Sequence, residues 1–235
     1  MNVSEYLLAR QSVRHFEERD VSQDVLNALI ETALQSPSGS NTQPYRLAVA
    51  TGAIKDKLKV ELSEKFDTAN RIKKLPLPLK VYRGITSDIL PDGPFKPEKV
   101  QYDKELFERK FNCGMGLYDT LGIAREDRQA RTQQMHKNFE FFDAPAVIFV
   151  FANQGLGAYA PLDAGIFLQS LMLSALDLGL GTCVQATLGI WERPLKKYFQ
   201  FENNYGLLCG VSLGYPSSHK VNSFRPNKRA LQDVL

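Results

Sequence analysis

The sequence predicts a mixed fold of helices and strands, and three patterns carry that reading. Val25, Leu26, Leu29, Ile30, Ala33 and Leu34, and then Ile54, Leu58, Leu62 and Phe66, recur at helical spacing. Ala146 to Ala152 is an unbroken apolar run behind Pro145, the pattern of a strand buried on both faces. From Pro161 to Leu178 the chain is apolar nearly all round, which predicts a core helix or a subunit interface. At 235 residues there is length for one large domain or two small ones.

In chain order, residues 3–9 predict a short opening helix. Ser22 has the side chain of an N-cap, with Asp24 in the first turn of the helix that follows. Pro37 ends that helix. Leu47 to Ala50 predicts a short strand, and the Ile54–Phe66 series a second amphipathic helix. From about 67 to 100 the periodicity is lost among Pro76, Pro78, Pro91, Pro94 and Pro97, which predicts an irregular insertion acting as a lid. It is not read as a domain boundary, because neither side alone supplies a complete set of core elements; residues 1–235 are expected to form a single domain. Residues 103–112 and the highly charged 124–142 are helical in character. Gly179 and Gly181 stop the long apolar helix. Strands are expected at 182–186 and 207–213, with a short helix near 192–200 between them.

Composition excludes several classes. Apolar residues make up 43%, charged residues 23%, and the net charge is only +3. Lys and Arg are scattered among acids, so no nucleic acid partner is expected. No apolar window of about 18 residues and no secretory signal are evident, so no membrane is expected. Cys113, Cys183 and Cys209 are far apart in apolar surroundings, which suits buried thiols in a reducing, cytoplasmic compartment. No His and Cys cluster has the spacing of metal ligands, so no metal is expected.

Two motifs carry chemistry. Arg10-x-Ser12-x-Arg14 places two guanidinium groups and a hydroxyl at alternate positions, where an extended backbone would turn all three to one face. Arg forks bind phosphate bidentately, which Lys cannot do. The run Ser36-Pro37-Ser38-Gly39-Ser40-Asn41-Thr42-Gln43-Pro44-Tyr45 packs hydroxyls and amides between two stiff ends, and Gly39 permits close backbone approach. Together they read as a docking surface for a phosphorylated, hydrogen-bond-rich cofactor.

Two other patterns invite different readings. Gly210-Val211-Ser212-Leu213-Gly214 matches a nucleophile elbow, but no helix signal follows and His219 precedes the only later acid, Asp233; a core strand is expected instead. Gly155-Leu156-Gly157-Ala158-Tyr159-Ala160 matches a dinucleotide fingerprint between a strand and a helix. No acid ends the next strand, so a Rossmann-type NAD(P) dehydrogenase is kept as the alternative.

With its neighbours, the first pair of motifs resembles the FMN-dependent nitroreductase family. The resemblance rests on Arg10-x-Ser12-x-Arg14-x-Phe16 and on Ser36 to Tyr45, where Tyr45 stands in place of the usual Trp. It extends through Asp163-x-Gly165, Gly179 to Cys183, Leu208 to Pro216, and Val221-Asn222-x-Phe224-Arg225. Tyr118 to Asp127 is similar to the nitrobenzoate-reductase-like branch.

The resemblance implies an α+β three-layer sandwich, with a central, mostly antiparallel sheet flanked by helices, in an intertwined homodimer with FMN at the interface. By matching position, Arg10, Ser12 and Arg14 would hold the phosphate and ribityl chain, and Arg225 would complete the clamp. Pro37, Ser38, Gly39, Asn41 and Gln43 would reach the same flavin from the other subunit. The backbone around Gln185 and Ala186 would meet the flavin's redox edge, although the branch often has Pro where Val184 stands. The implied activity is reduction of nitroaromatics, quinones or similar electron-poor small molecules with NADH or NADPH, in ping-pong alternation. No catalytic side chain is implied, because the flavin carries the chemistry. A flavin-binding member without turnover is a further alternative.

Overall fold

Four strands organise the structure, a computed structural model that describes residues 2–235. They are β1 (Tyr45–Thr51), β2 (Ala146–Asn153), β3 (Gly181–Gln185) and β4 (Tyr205–Gly214), hydrogen-bonded in the order β1-β2-β4-β3. All three pairings are antiparallel. β2 is buried along its length except at Asn153, because it has a neighbour on each side and a layer on each face. That is why its sequence is an unbroken apolar run, whereas the edge strand β1 mixes buried and half-buried residues.

Side chains alternate across the sheet and feed two cores. On one face, Ile148 and Val150 of β2 meet Leu26 and Leu29 of α2 (Gln23–Ala33) and Phe167 and Leu171 of α7 (Tyr159–Asp177). On the other, Val147, Phe149 and Phe151 meet Leu58, Leu62 and Phe66 of α3 (Gly52–Lys73), with Phe139 and Trp191 closing the cluster. Helix, sheet, helix is the three-layer α+β sandwich that the family resemblance implies. The remaining helices are α1 (Val3–Ala9), α4 (Leu77–Thr86), α5 (Lys104–Leu121), α6 (Arg128–His136) and the single turn α8 (Arg193–Lys196).

Three expectations need correction. The 67–100 stretch is not irregular throughout: α3 runs on to Lys73, and α4 occupies Leu77–Thr86. Pro76 is the N-cap of α4 and Pro78 lies in its first turn, positions where a missing N–H costs nothing. The 124–142 stretch is α-helical only over α6, with a 3-10 turn from Phe141 to Asp143. Phe141 and Phe142 turn inward to full burial there, and Phe141, Phe142 and Asp143 adopt φ of 57°, 53° and 61°. The third concerns α7, which is long and apolar enough to cross a membrane by length and composition. Its buried residues pack in the core beside α2, with Asp163 among them.

α7 is a core helix on one side only. One side is buried, while Tyr159, Leu162 and Ile166 on the other are 73%, 58% and 36% exposed. α1, with Val3, Leu7 and Leu8 exposed, lies against α7, and the Tyr6 hydroxyl donates to Asp177 at its end. Of the thiols, Cys183 and Cys209 are buried as expected, but Cys113 on α5 is exposed.

Candidate functional site

Arg10 to Arg14 run extended along the free edge of β3. Ser12 bridges Thr182 in parallel, and the Val13 N–H donates to the Thr182 carbonyl at 2.9 Å. Val13 is buried, so Arg10, Ser12 and Arg14 share the side left partly open, as alternation requires. Gly181 makes the approach possible: a Cβ there would lie 2.5 Å from a Val13 methyl.

Asn222 holds this segment in place. Its Oδ1 accepts the Arg14 N–H at 2.8 Å, and its Nδ2 donates to the His15 carbonyl at 2.7 Å and the Ser217 carbonyl at 3.0 Å. The Asn222 carbonyl in turn accepts from Arg225 Nη1 at 3.3 Å, which brings the C-terminal guanidinium to the same corner. His219 opens the turn that carries Asn222, accepting the Val221 N–H on Nδ1 at 3.1 Å. Burial and the stacked His15 ring lower its pKa, which favours the neutral ring this bond needs.

Arg46, Arg193 and Arg229 are each paired with a carboxylate, but Arg10, Arg14 and Arg225 have no acidic partner among the described residues. Three guanidiniums without acids at one corner are the donor set a phosphate requires, so the residues present fit the group the sequence implies. Behind them burial pushes the Cys183 thiol up to about 11, against the opposing pull of Arg14, Ser12 and Arg10. A neutral thiol leaves the positive field of the corner undiminished.

The Ser36–Tyr45 loop leaves α2 and enters β1. Its start is pinned by the Ser36 hydroxyl donating to the Ala33 carbonyl at 2.6 Å, and its end by the buried Tyr45 ring, 4.7 Å from that of Phe167. Burial, helped by Asp163, raises the Tyr45 pKa. Between these anchors the Gly39 N–H points at both oxygens of Asp163 on α7, at 3.2 Å each. Ser38 Oγ accepts the Gln43 N–H at 2.9 Å, and Asn41 Oδ1 accepts from Gln43 Nε2 at 3.2 Å. Ser40, Asn41 and Gln43 hold φ of 49°, 56° and 45°, a left-handed series that costs energy for residues other than glycine. Pro37, Gly39, Asn41 and Gln43 stay exposed.

At the end of β3 the Gln185 side chain is fully used: Nε2 donates to the Asn138 carbonyl at 2.8 Å and Oε1 accepts from the Ser212 hydroxyl. What remains for a ligand is the backbone there and the exposed Ala186, where the chain breaks into a 3-10 turn over Ala186–Ile190. Gln185 lies three residues along β3 from Thr182, about 10 Å from the partner of Ser12, a separation suited to an elongated ligand with a phosphate at one end.

The two sequence motifs do not meet within one chain. Thr182 is level with Leu213, Ala146 and Thr51, whereas Tyr45 is level with Ala152 and Gly206. The motifs therefore occupy opposite corners of the sheet, roughly 20 Å apart across the strands and roughly 20 Å along them. Asn222, His219 and Asp163 are the residues that sequence reasoning did not assign to the site. Asp163 had a signal, an acid inside an otherwise apolar helix; the amide of Asn222 had none. The other two patterns resolve simply. Ser212 is fully buried within β4, and the Gly155–Ala160 turn leads to a strand, β3, that pairs antiparallel, which rules out a Rossmann unit.

Comparison with known proteins identifies the family and the fold. A family model described as the nitroreductase family matches residues 7–215. The 4-nitrobenzoate reductase of Pseudomonas putida is 30% identical over 225 residues, 95% of this chain and 90% of its own. The crystal structure of the FMN- and NADPH-dependent nitroreductase NfnB from Sphigopyxis sp. strain HMH superposes with a TM-score of 0.83 at 26% identity, over 100% of this chain and 98% of that one. That of the FMN-dependent nitroreductase NfnB from Mycobacterium smegmatis, in complex with NADPH, gives 0.79 at 29% identity over 99% and 96%.

Proposed function

The chain belongs to the nitroreductase family, and from that premise we propose that it is an FMN-dependent oxidoreductase reducing nitroaromatic compounds with NADPH or NADH. The observation that carries the reading is the corner of three acid-free guanidiniums beside β3. Arg10, Arg14 and Arg225 neutralise the FMN phosphate, and Ser12 hydrogen-bonds it or the ribityl chain. The backbone around Gln185 and Ala186 would meet the redox edge of the ring system. Val184, where the branch often has Pro, leaves an N–H there that Pro would lack. Bound FMN would supply the hydride chemistry between NADPH or NADH and nitroaromatics, quinones or similar acceptors, in a ping-pong scheme. The protein's own work is to bind, orient and tune.

The active form is proposed to be a homodimer. Opposite corners of one sheet are too far apart to grip one mononucleotide, so Pro37, Ser38, Gly39, Asn41 and Gln43 serve the flavin of the second copy. The exposed apolar side of α7, with α1 beside it, supports a second copy as its cover. Residues 1–235 act as a single domain within that dimer.

The test is an absorption spectrum of the purified protein. It is expected to be yellow, to bleach with NADPH or NADH, and to recover on addition of 4-nitrobenzoate. A colourless protein, or bound FMN that does not bleach, overturns the reading.

A further inference from the structure

Ser212 is the residue that the nucleophile-elbow pattern singled out and that the proposed function leaves without a task. It carries the only hydroxyl among the buried residues of β4. That hydroxyl donates to Gln185 Oε1. At the other end of the same amide, Nε2 donates to the Asn138 carbonyl at 2.8 Å and reaches Asn138 Oδ1 at 3.4 Å. A backbone carbonyl can only accept, so it fixes which end of the amide faces Asn138 and leaves Oε1 for the hydroxyl. Asn138 is itself held, its Nδ2 donating to the Met135 carbonyl at 3.1 Å. The Gln185 side chain, 3% exposed, thus ties β3 both to β4 and to the turn that leads into β2.

Apolar side chains would fill this space without the desolvation that a buried amide and hydroxyl bring. What a fully satisfied buried network supplies instead is one fixed geometry. Here it supplies that geometry at the end of β3. Gln185 is the last residue of the strand, level with Gly210, and from Ala186 the chain turns away. Ends of elements are where backbone order is first lost. This end is held from both directions. A Cβ on Gly210 would lie 2.5 Å from a Leu188 methyl, and one on Gly189 would lie 2.9 Å from the Leu208 carbonyl oxygen, so the turn after Gln185 lies directly on β4. The amide tether fixes the strand side of the Gln185–Ala186 peptide, and the close packing of the turn fixes the other.

We propose that Ser212 is a positioning residue: through the Gln185 amide, with Asn138 as the opposite anchor, it holds the Gln185–Ala186 backbone at the flavin's redox edge and so favours the reduced cofactor. The inference rests on the proposed function above, which puts that backbone against the flavin. Electron density at that edge rises on reduction. A backbone N–H held there stabilises the reduced form more than the oxidised one, and a backbone free to swing loses the difference.

The FMN-loaded protein and two variants are compared by melting temperature and by midpoint potential in dye equilibration. Ser212→Ala is expected to keep FMN bound but to weaken reduced FMN about tenfold relative to oxidised FMN, which lowers the potential of a two-electron couple by about 30 mV. It is also expected to melt earlier, because Gln185 Oε1 is left buried without a donor. Ser212→Ala/Gln185→Met separates the two effects. It removes both polar groups at nearly constant volume, and the Asn138 carbonyl still accepts the Phe141 N–H at 3.2 Å. Stability is therefore expected to return while the potential stays low, and this variant alone decides the matter if Ser212→Ala does not hold its fold. A potential unmoved in both variants, or one that returns together with stability in the double variant, would overturn the positioning role alone. A wild-type protein that binds no FMN would overturn the proposed function and this role with it.

Discussion

Arg225 shows how a single residue in a tail is brought to a candidate site. Taken alone it is a charge near the C-terminus; in the fold its guanidinium donates to the carbonyl of Asn222, the residue whose side chain accepts the Arg14 N–H. A charge-assisted hydrogen bond contributes about 1.5–3 kcal/mol, so Arg225→Ala is expected to weaken FMN binding by about ten- to a hundredfold. Arg225→Lys keeps the charge but loses the fork, and is expected to recover only part of that loss. Fluorescence titration of FMN with the apoprotein measures both, and wild-type affinity in Arg225→Ala would remove the residue from the clamp. The arginines and the polar loop stood out as candidates because their residue types suggest a chemistry. Asn222 did not, because a buried amide that binds two carbonyls and an N–H looks in sequence like any surface amide.

At the scale of elements, pattern was a good guide where one physical cause dominates. β2 was evident because burial on both faces demands apolar residues throughout, and α2 because one face is buried and one is wet. α4 was missed because proline was taken as a breaker, whereas at an N-cap and in a first turn it is harmless. It also buries nothing, so core formation left no mark on its sequence. α6 was drawn too long because buried phenylalanines draw the chain inward just beyond it. The contact between β3 and residues 10–14 offers a direct test. Gly181→Ala would force a methyl against stiff Val13, an overpacking that costs about 1–3 kcal/mol and moves the arginines off the strand edge. It is expected to lower both the melting temperature and FMN affinity, with Gly181→Ala/Val13→Ala restoring much of each. Unchanged FMN affinity in Gly181→Ala would show that the edge pairing does not position Arg10 and Arg14.

The whole molecule adds what neither residue nor element could show, the separation of its two candidate binding motifs at opposite corners of one sheet. Motif order along the chain gives no distance; only the strand order does. The consequence is testable by mixing. One chain carries Arg10→Ala/Arg14→Ala and the other Ser38→Ala/Asn41→Ala, and each alone is expected to bind FMN poorly. In a purified heterodimer one site would receive both defects and the other neither, so FMN is expected at one per two chains, with activity restored in proportion. A heterodimer as empty as either parent would mean that both motifs serve a flavin within a single chain.

The Asn222 side chain has one further consequence. It joins Arg14 to a position 208 residues later in the chain. A polypeptide made from its N-terminus exposes the arginine segment early but lacks the strand edge, the amide and the last guanidinium until translation has passed β4 and the turn beyond. The corner is therefore the last part of the sheet to be finished.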